Sequence, residues 1–233
     1  MQNFSPILYL EINEFNFTFS VGASNEYDNF EIIYNLDVPI VGFEDKRLAD
    51  FEKVFNVIKK NIYLIEQKIN FTFKEIVIIL ENFQPSFISL TGYKSLNGTQ
   101  ILRENITYII NTLKACVHQT EPNKTILHIF NSKFNLDNKK IENLPIGLFG
   151  DFYSYELSFT AMRSSDLKNL KNIFEKCNLK IKKILLKSFV NGVKISNEFK
   201  KADTFFYVKC KTKTSKIFYF ENDSLKFEQD FNF

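Results

Sequence analysis

The chain has 233 residues, 45% hydrophobic and 24% charged, with a formal net charge of +3 at pH 7. That length and balance suit a globular protein with a substantial core. Because lysines and acidic residues are interspersed, the charge excludes the basic stripe of a nucleic-acid-binding domain. Cys116, Cys177 and Cys210 are far apart and form no CxxC pair, which favours a reducing compartment over a disulfide framework.

Segments that direct a chain to or through a membrane are not predicted. The apolar stretch near the N-terminus is short and follows no basic region, so it does not resemble a signal peptide. No run approaches the roughly 18 apolar residues that a membrane-spanning helix needs. We therefore expect a cytoplasmic protein.

The first third of the chain predicts an α/β arrangement. Residues 7–37 form three apolar or alternating runs with short polar links, which predict three consecutive strands. Over residues 46–68, apolar side chains from Leu48 to Ile65 recur every three or four positions, which predicts an amphipathic helix. The run Glu75–Leu80 is continuously apolar after its first residue and predicts a strand buried on both faces.

A second pattern begins after Gln84 and Pro85. Its predicted elements follow the order β-α-β-β-α-β, which indicates a small α+β unit inside a larger domain. In chain order they are a strand at 87–90, a helix at 104–118, strands near 125–136 and 152–162, a helix that begins at Ser164 or Ser165 and ends near Asn178, and a strand-like run at 179–189.

The end of the sequence predicts three more strands, at 204–208, 216–220 and 225–231. Asn222-Asp223 between the last two is typical of a two-residue hairpin turn. The final residues have the pattern of a strand interior rather than of a natural tail. We therefore expect the sequence to be part of a longer protein.

Motifs for catalysis or metal binding are not found. The sequence contains no GxxxxGK[ST], GxGxxG or GxSxG motif. His118, at a predicted helix end, and His128, inside a predicted strand, have no second imidazole or thiolate at a metal-motif spacing, which favours structural roles. No pair of carboxylates is marked as an acid/base couple. We predict no catalytic residue and no metal ligand.

Lysines cluster at the predicted turn between the first two of the last three strands. They occupy positions 209, 211, 213 and 216, among the hydroxyl groups of Thr212, Thr214 and Ser215. Ammonium and hydroxyl groups at a turn can hold a phosphate, although phosphate-binding loops use glycines so that backbone N–H groups can approach closely. A solvated, charged hairpin is the alternative interpretation, and both stay open.

Five short segments resemble, in order, motifs of the FtsA family of bacterial cell-division proteins. The family patterns are I-L-H-x-h-P, h-x-h-D, N-P-h-G-h-x-G and K-N-h…E-x-C-G-L, where h is apolar. The resemblance is colinear from about residue 7 to 227 and most specific over 124–189. The segments are ILHIF (126–130), FNLD (134–137), NLPIGLFG (143–150), LKNL (167–170) and EKCNL (175–179).

The resemblance implies an α/β fold: an actin-like (ribonuclease-H-like) subdomain, 1A, interrupted by a small α+β insert of the SHS2 type, called 1C. Subdomain 1A would comprise residues 1–83 and 182–203, and the insert residues 84–181. Residues 204–233 would begin the second half of the actin fold. The family's FtsZ-contacting lobe and C-terminal membrane-binding helix would then lie beyond Phe233.

Both nucleotide loops of the family are altered here. The first, [DE]-I-G-T-x-K, is represented by EINEFN (11–16), and the second, D-x-G-G-G-T, by KCKTKT (209–214). Since neither loop keeps its glycines, we predict that the protein is not an ATPase and has no required cofactor, while the lysines leave ATP binding open. The degenerate phosphate-loop positions are Glu11, Asn13, Lys211, Lys213 and Thr214.

The function implied by the resemblance is a scaffold on the cytoplasmic face of the inner membrane at the division site. It would self-associate through the insert and, as the full-length protein, link FtsZ filaments to membrane division proteins. Nucleic acid is not an expected partner. We expect partner contacts at Pro145 and Gly147, in the 137–150 loop, and at Arg163 and Lys168, on the exposed face of the 164–177 helix.

Three alternatives are retained. The first is an actin-like ATPase with a working nucleotide site, which would need the missing glycine-bearing loops. The second is the related actin-like scaffold of pilus assembly, which shares the fold and the insert. The third is an α/β domain of unrelated role, since a fold does not fix a function.

Overall fold

The computed structural model of the chain describes residues 6–24, 30–81, 83–199, 204–210 and 214–232. In chain order, the strands and helices are β1 (Ile7–Ile12), β2 (Asn16–Ser24), β3 (Phe30–Pro39), β4 (Phe43–Glu44), β5 (Arg47–Leu48), α1 (Phe51–Ile69), β6 (Glu75–Leu80), β7 (Ser86–Ser95), α2 (Arg103–Thr120), β8 (Lys124–Leu136), β9 (Lys139–Ile141), β10 (Phe152–Arg163), α3 (Ser164–Lys176), β11 (Lys180–Leu186), α4 (Lys187–Glu198), β12 (Thr204–Cys210), β13 (Thr214–Glu221) and β14 (Ser224–Asn232).

The chain divides into two compact units. Unit 1 contains residues 1–84 and 164–187, and unit 2 contains residues 85–163 and 188–233. The sequence placed residues 164–181 in the insert, whereas the structure places them in unit 1. The reason is that β11 pairs with β6 in the sheet of unit 1 and α3 contacts α1. The names given to these parts, subdomain 1A and an SHS2-type insert, stay predictions.

The sheet of unit 1 has five strands in the order β11-β6-β1-β2-β3. The three consecutive strands predicted over residues 7–37 are confirmed: β1, β2 and β3 pair antiparallel, while β6 and β11 run parallel to β1. The prediction that Glu75–Leu80 is buried on both faces also holds, because successive side chains Ile76, Val77 and Ile78 are all buried.

Helix α1 begins later than the sequence predicted. The periodicity suggested a start at residue 46, but Arg47–Leu48 pairs with Phe43–Glu44 in a two-stranded hairpin. The helix starts after Asp50, whose carboxylate accepts a hydrogen bond from the backbone N–H of Lys53 at 3.0 Å. This capping bond satisfies one of the free donors of the first helical turn.

A four-stranded antiparallel sheet, with strand order β7-β10-β8-β9, lies at the centre of unit 2. Helix α2 packs on one face, where Ile109 and Leu113 meet Tyr155, Leu157 and other buried side chains.

Strands β12, β13 and β14 form the separate antiparallel meander that the sequence predicted. Helix α4 was not predicted, because the strand-like pattern of residues 179–189 extends past the start of α4 at Lys187 to Phe189.

Candidate functional site

The predicted phosphate-loop positions are only partly described by the structure. Glu11 lies on β1 and Asn13 in the turn between β1 and β2. Lys211 and Lys213 lie outside the described residues, and for Thr214 the structure describes the backbone, at the start of β13, but not the side chain. The geometry of a candidate nucleotide site is therefore defined here by the first loop.

The β1–β2 turn is closed by the side chain of Asn13. Its Oδ1 accepts hydrogen bonds from the backbone N–H groups of Phe15 at 3.0 Å and Asn16 at 2.7 Å. The backbone N–H of Asn13 in turn donates to the carbonyl oxygen of Asn16 at 3.1 Å. Phosphate-binding loops direct such N–H groups at the ligand. In this turn, two of them are already used by a side chain of the same turn.

The carboxylate of Glu11 is paired with a lysine of the same unit. Lys187, the first residue of α4, donates from Nζ to Oε2 of Glu11. The side chain of Glu11 is 18% exposed and that of Lys187 is 30% exposed, so the pair is largely removed from water. A half-buried carboxylate with its own counter-ion no longer needs a cation supplied with a ligand. The pair therefore links the edge of the turn to the start of α4.

Sequence reasoning identified Glu11 but missed Lys187. The two residues are 176 positions apart, and Lys187 belongs to no recognised motif. The signal available was its place directly after β11, where a parallel strand beside β6 and β1 ends at the same edge of the sheet. The local sequence does not show that its side chain points to Glu11.

The second candidate site is the loop that precedes β10 in unit 2. Gly147 donates its N–H to the carbonyl oxygen of Ile101 at 2.9 Å, and Ile101 donates to that of Leu148 at 2.8 Å. The Gln100 side chain adds a bond from Nε2 to the Gly147 carbonyl oxygen at 2.8 Å. These bonds fix the loop against the segment that leads into α2.

This loop exposes apolar side chains, although its backbone is held in place. Phe149 is 69% exposed, and its apolar neighbours are also largely in contact with water. We give the name loop patch to the exposed apolar side chains of this loop together with Leu102, which directly precedes α2. The loop patch consists of Leu102, Leu144, Ile146, Leu148 and Phe149. Adjacent exposed apolar groups at a protein surface mark contact sites for other molecules.

The two loop residues that the sequence named, Pro145 and Gly147, differ in exposure, and their role in partner contacts stays a prediction. Pro145 is buried, whereas Gly147 is exposed. Gly147 has a left-handed φ of +90° and takes part in the backbone hydrogen bonds that hold the loop. Both residues shape the loop, and their apolar neighbours form the exposed surface.

Arg163 and Lys168 were expected on one helix and lie in different elements. Arg163 is the exposed last residue of β10 and is paired in register with Lys124 of β8, in unit 2. Lys168 is exposed on α3, in unit 1. Helix α3 begins at Ser164, as predicted, and this start leaves Arg163 in the strand.

Burial shifts the pKa values of several side chains outside these two candidate sites. Burial raises the pKa of Cys177 to about 11 and that of Tyr155 to about 12, away from the values of a reactive nucleophile at neutral pH. Burial lowers the pKa of His128, whose ring lies 5.7 Å from Phe130 and 5.9 Å from Phe189. The predicted structural role of His128 agrees with this apolar setting.

Within the described residues, His, Cys, Asp and Glu side chains form no group of three or more that is arranged to hold a metal ion. None of the helices described is both long and apolar enough to cross a membrane.

Comparison with known sequences finds a similarity to a cell-division protein. The chain is 26% identical over 175 residues to cell division protein FtsA of Buchnera aphidicola subsp. Baizongia pistaciae (strain Bp). The match covers 75% of this chain and 41% of that protein, so the chain spans less than half the length of this relative. No family model matches the sequence.

Comparison with solved structures identifies the fold. The chain superposes on a chain of the PilM–PilN type IV pilus biogenesis complex with a TM-score of 0.67 at 9% identity, covering 97% of this chain and 61% of that one. A Bacteroides thetaiotaomicron protein of actin-like ATPase fold and unknown function gives a TM-score of 0.43 at 13% identity, covering 100% and 74%. The chain is a divergent FtsA-like protein, and its predicted actin-like α/β fold is confirmed.

Proposed function

We propose that the chain acts as a cell-division scaffold which self-associates through the loop patch and does not depend on ATP hydrolysis. In the full-length protein, this scaffold would link FtsZ filaments to membrane division proteins at the cytoplasmic face of the inner membrane. Similarity to FtsA supports the division role. The observation that carries the proposal is an apolar surface on a loop that backbone hydrogen bonds hold in shape.

The loop patch has the properties of a binding surface. Its backbone bonds to the segment 99–101 are in place before any partner arrives, so little conformational entropy remains to be lost on binding. Large exposed apolar groups lose contact with water in a complex, and aromatic groups such as Phe149 dominate the energies of many interfaces. An ordered loop with these side chains therefore favours protein contacts over a purely structural role.

A matched pair of substitutions tests the loop patch. Phe149→Ser removes its most exposed aromatic ring, and Phe15→Ser removes an equally exposed ring, also 69%, in unit 1. We expect Phe149→Ser to weaken self-association about tenfold or more in sedimentation experiments, as loss of a hot-spot aromatic does. Phe15→Ser should leave it unchanged. Equal effects of the two substitutions would contradict the proposal.

The cellular role is tested by locating the full open reading frame, fused to a fluorescent protein, in its own cells. A band at the division site supports the septal scaffold, and Phe149→Ser should make this band weaker. Polar spots would favour the pilus-assembly alternative, with which the chain shares a fold. A diffuse signal would contradict both scaffold assignments.

The proposal that ATP is not hydrolysed rests on the first loop. Asn13 uses the N–H groups of Phe15 and Asn16, and Lys187 neutralises Glu11, so this turn offers little to a phosphate. Titration calorimetry of the complete protein with Mg-ATP should detect no tight binding. An affinity in the sub-micromolar range, near −8 kcal/mol or stronger, would overturn this part of the proposal.

A further inference from the structure

The sheet of unit 1 ends in a different strand at each side. Its order β11-β6-β1-β2-β3 leaves β3 at one edge and β11 at the other, and no strand among the described residues pairs with either outer edge. The outer edge of a sheet presents a row of backbone N–H and C=O groups that can pair with another chain. Both strands are long enough to do so, with ten and seven residues.

The two edge strands carry opposite charge. Strand β3 contains the acids Glu31 and Asp37 and no basic residue, whereas β11 contains Lys180, Lys182 and Lys183 and no acid. Lys182 also contacts Glu75 of β6 at 3.3 Å, which leaves the other two lysines to dominate the charge of this edge. Two copies of the same edge would repel each other, whereas β3 and β11 attract.

Strand β3 also exposes apolar side chains beside this edge. Ile32 is 65% exposed, and Phe30 and Ile33 are about half exposed. Lysines on an edge strand normally prevent pairing with other chains. On β11 they block a second copy of β11, but they do not block an acidic strand such as β3.

The topology fixes how the two edges would meet. Strand β2 is antiparallel to both β1 and β3, so β3 runs in the same direction as β1. Strands β6 and β11 are parallel to β1, so β3 and β11 run in the same direction. Two copies in similar orientation, side by side, therefore bring β3 of one next to β11 of the other as parallel strands.

We propose that β3 of one copy pairs in parallel with β11 of a second copy, so that the five-stranded sheets join into one continuous sheet. The contact uses different surfaces on the two partners. A contact of this kind leaves one free edge at each end, and it builds an open linear assembly unless the rotation between copies closes a ring. The proposal concerns a surface of unit 1 and does not depend on the loop patch.

Salt is the first test, in sedimentation experiments on the Phe149→Ser variant over a range of protein concentrations, because this variant lacks the central aromatic ring of the loop patch. The Debye length falls from about 30 Å at 0.01 M salt to about 3 Å at 1 M. Association through charged edges should weaken about tenfold across this range. A chain that remains monomeric at high concentration in low salt would overturn the proposal, as would association that is insensitive to salt.

A charge exchange tests the pairing itself. The variant K180E/K183E makes β11 acidic, and the variant E31K/D37N makes β3 basic. In the Phe149→Ser background, which weakens contacts through the loop patch, each variant alone should lose association, because its two edges then repel. An equimolar mixture should recover it, since the unchanged β3 of the first variant meets the unchanged β11 of the second, and the two altered edges also attract.

Recovery in the mixture shows that both variants are folded, and no effect on folding alone can produce it. Hydrogen exchange should show slower exchange at 30–39 and 180–186 in the mixture than in either variant. Failure of the mixture to associate, when both variants unfold at the wild-type temperature, would overturn the edge pairing. Because the exchange is made in the Phe149→Ser background, its outcome does not depend on the loop patch, so failure of the loop patch and failure of the edge pairing are distinguishable.

Discussion

The β1–β2 turn and the loop before β10 are both fixed by hydrogen bonds, but these bonds are made by a side chain in the turn and mainly by neighbouring backbone in the loop. In the turn, the Asn13 side chain accepts the backbone N–H groups of Phe15 and Asn16. In the loop, Gly147 and Leu148 are held by the backbone of Ile101. A turn closed by its own side chain uses up its donors, whereas a loop held by neighbouring backbone leaves its side chains free to face outward.

The largest effect is expected from breaking the ion pair beside the turn. Lys187→Met leaves Glu11 half-buried without its counter-ion, and we expect a loss of about 2–3 kcal/mol, less than for a fully buried pair. Urea unfolding with an unchanged slope measures it. Lys194→Met is the control, because Lys194 is 75% exposed and its contact with Glu198 is 3.8 Å long. Equal losses in the two variants would show that the Glu11 pair contributes no special stability.

A smaller effect is expected from opening the turn itself. Asn13→Ala removes the acceptor of two backbone N–H groups, at a cost of about 1–2 kcal/mol. Asn13→Asp keeps an acceptor oxygen in the same place and should remain close to the wild type. If the turn is closed as described, Asn13→Ala should also speed hydrogen exchange at Phe15 and Asn16. Unchanged exchange there would contradict the role given to Asn13.

The smallest effect on stability is expected in the loop. Gly147 has a φ of +90°, and a Cβ added there would lie 3.8 Å from Gln100 Nε2, so the cost is backbone strain without a clash. We expect Gly147→Ala to lose about 1 kcal/mol. It should nevertheless weaken self-association, because the loop patch loses its fixed shape. A variant that is less stable but associates normally would show that self-association does not need the fixed shape of this loop.

Much of the fold follows from local sequence signals. The Asn222-Asp223 hairpin was predicted from two residues, and both have left-handed φ values, 49° and 56°, as a tight turn between twisted strands requires. The periodicity of α1 was sound, but its start was misplaced because Leu48 continues the helical spacing while lying in a hairpin. Helix α4 was missed because Phe189 extends an apolar run and Gly192 lowers helix propensity.

The candidate sites were less predictable, because they depend on contacts between distant residues. The sequence marked Glu11 and Asn13 as altered phosphate-loop positions, but the partner of Glu11 is 176 residues away. It also identified the loop through Pro145 and Gly147, because the family motif N-P-h-G-h-x-G contains a proline and a glycine. Which neighbours of these residues remain exposed depends on the packing of the whole unit.

The register of β7 and β10 has a consequence for how such a protein is assembled from parts. Ser86 and Ala161 are paired directly, so the two ends of the segment 85–163 lie on adjacent strands. A segment whose ends are neighbours can be removed and replaced by a short linker, or exchanged for another of similar span, without stretching the chain on either side. This geometry is compatible with recombination, in which one segment between residues 84 and 164 is replaced by another while the five-stranded sheet of unit 1 is kept.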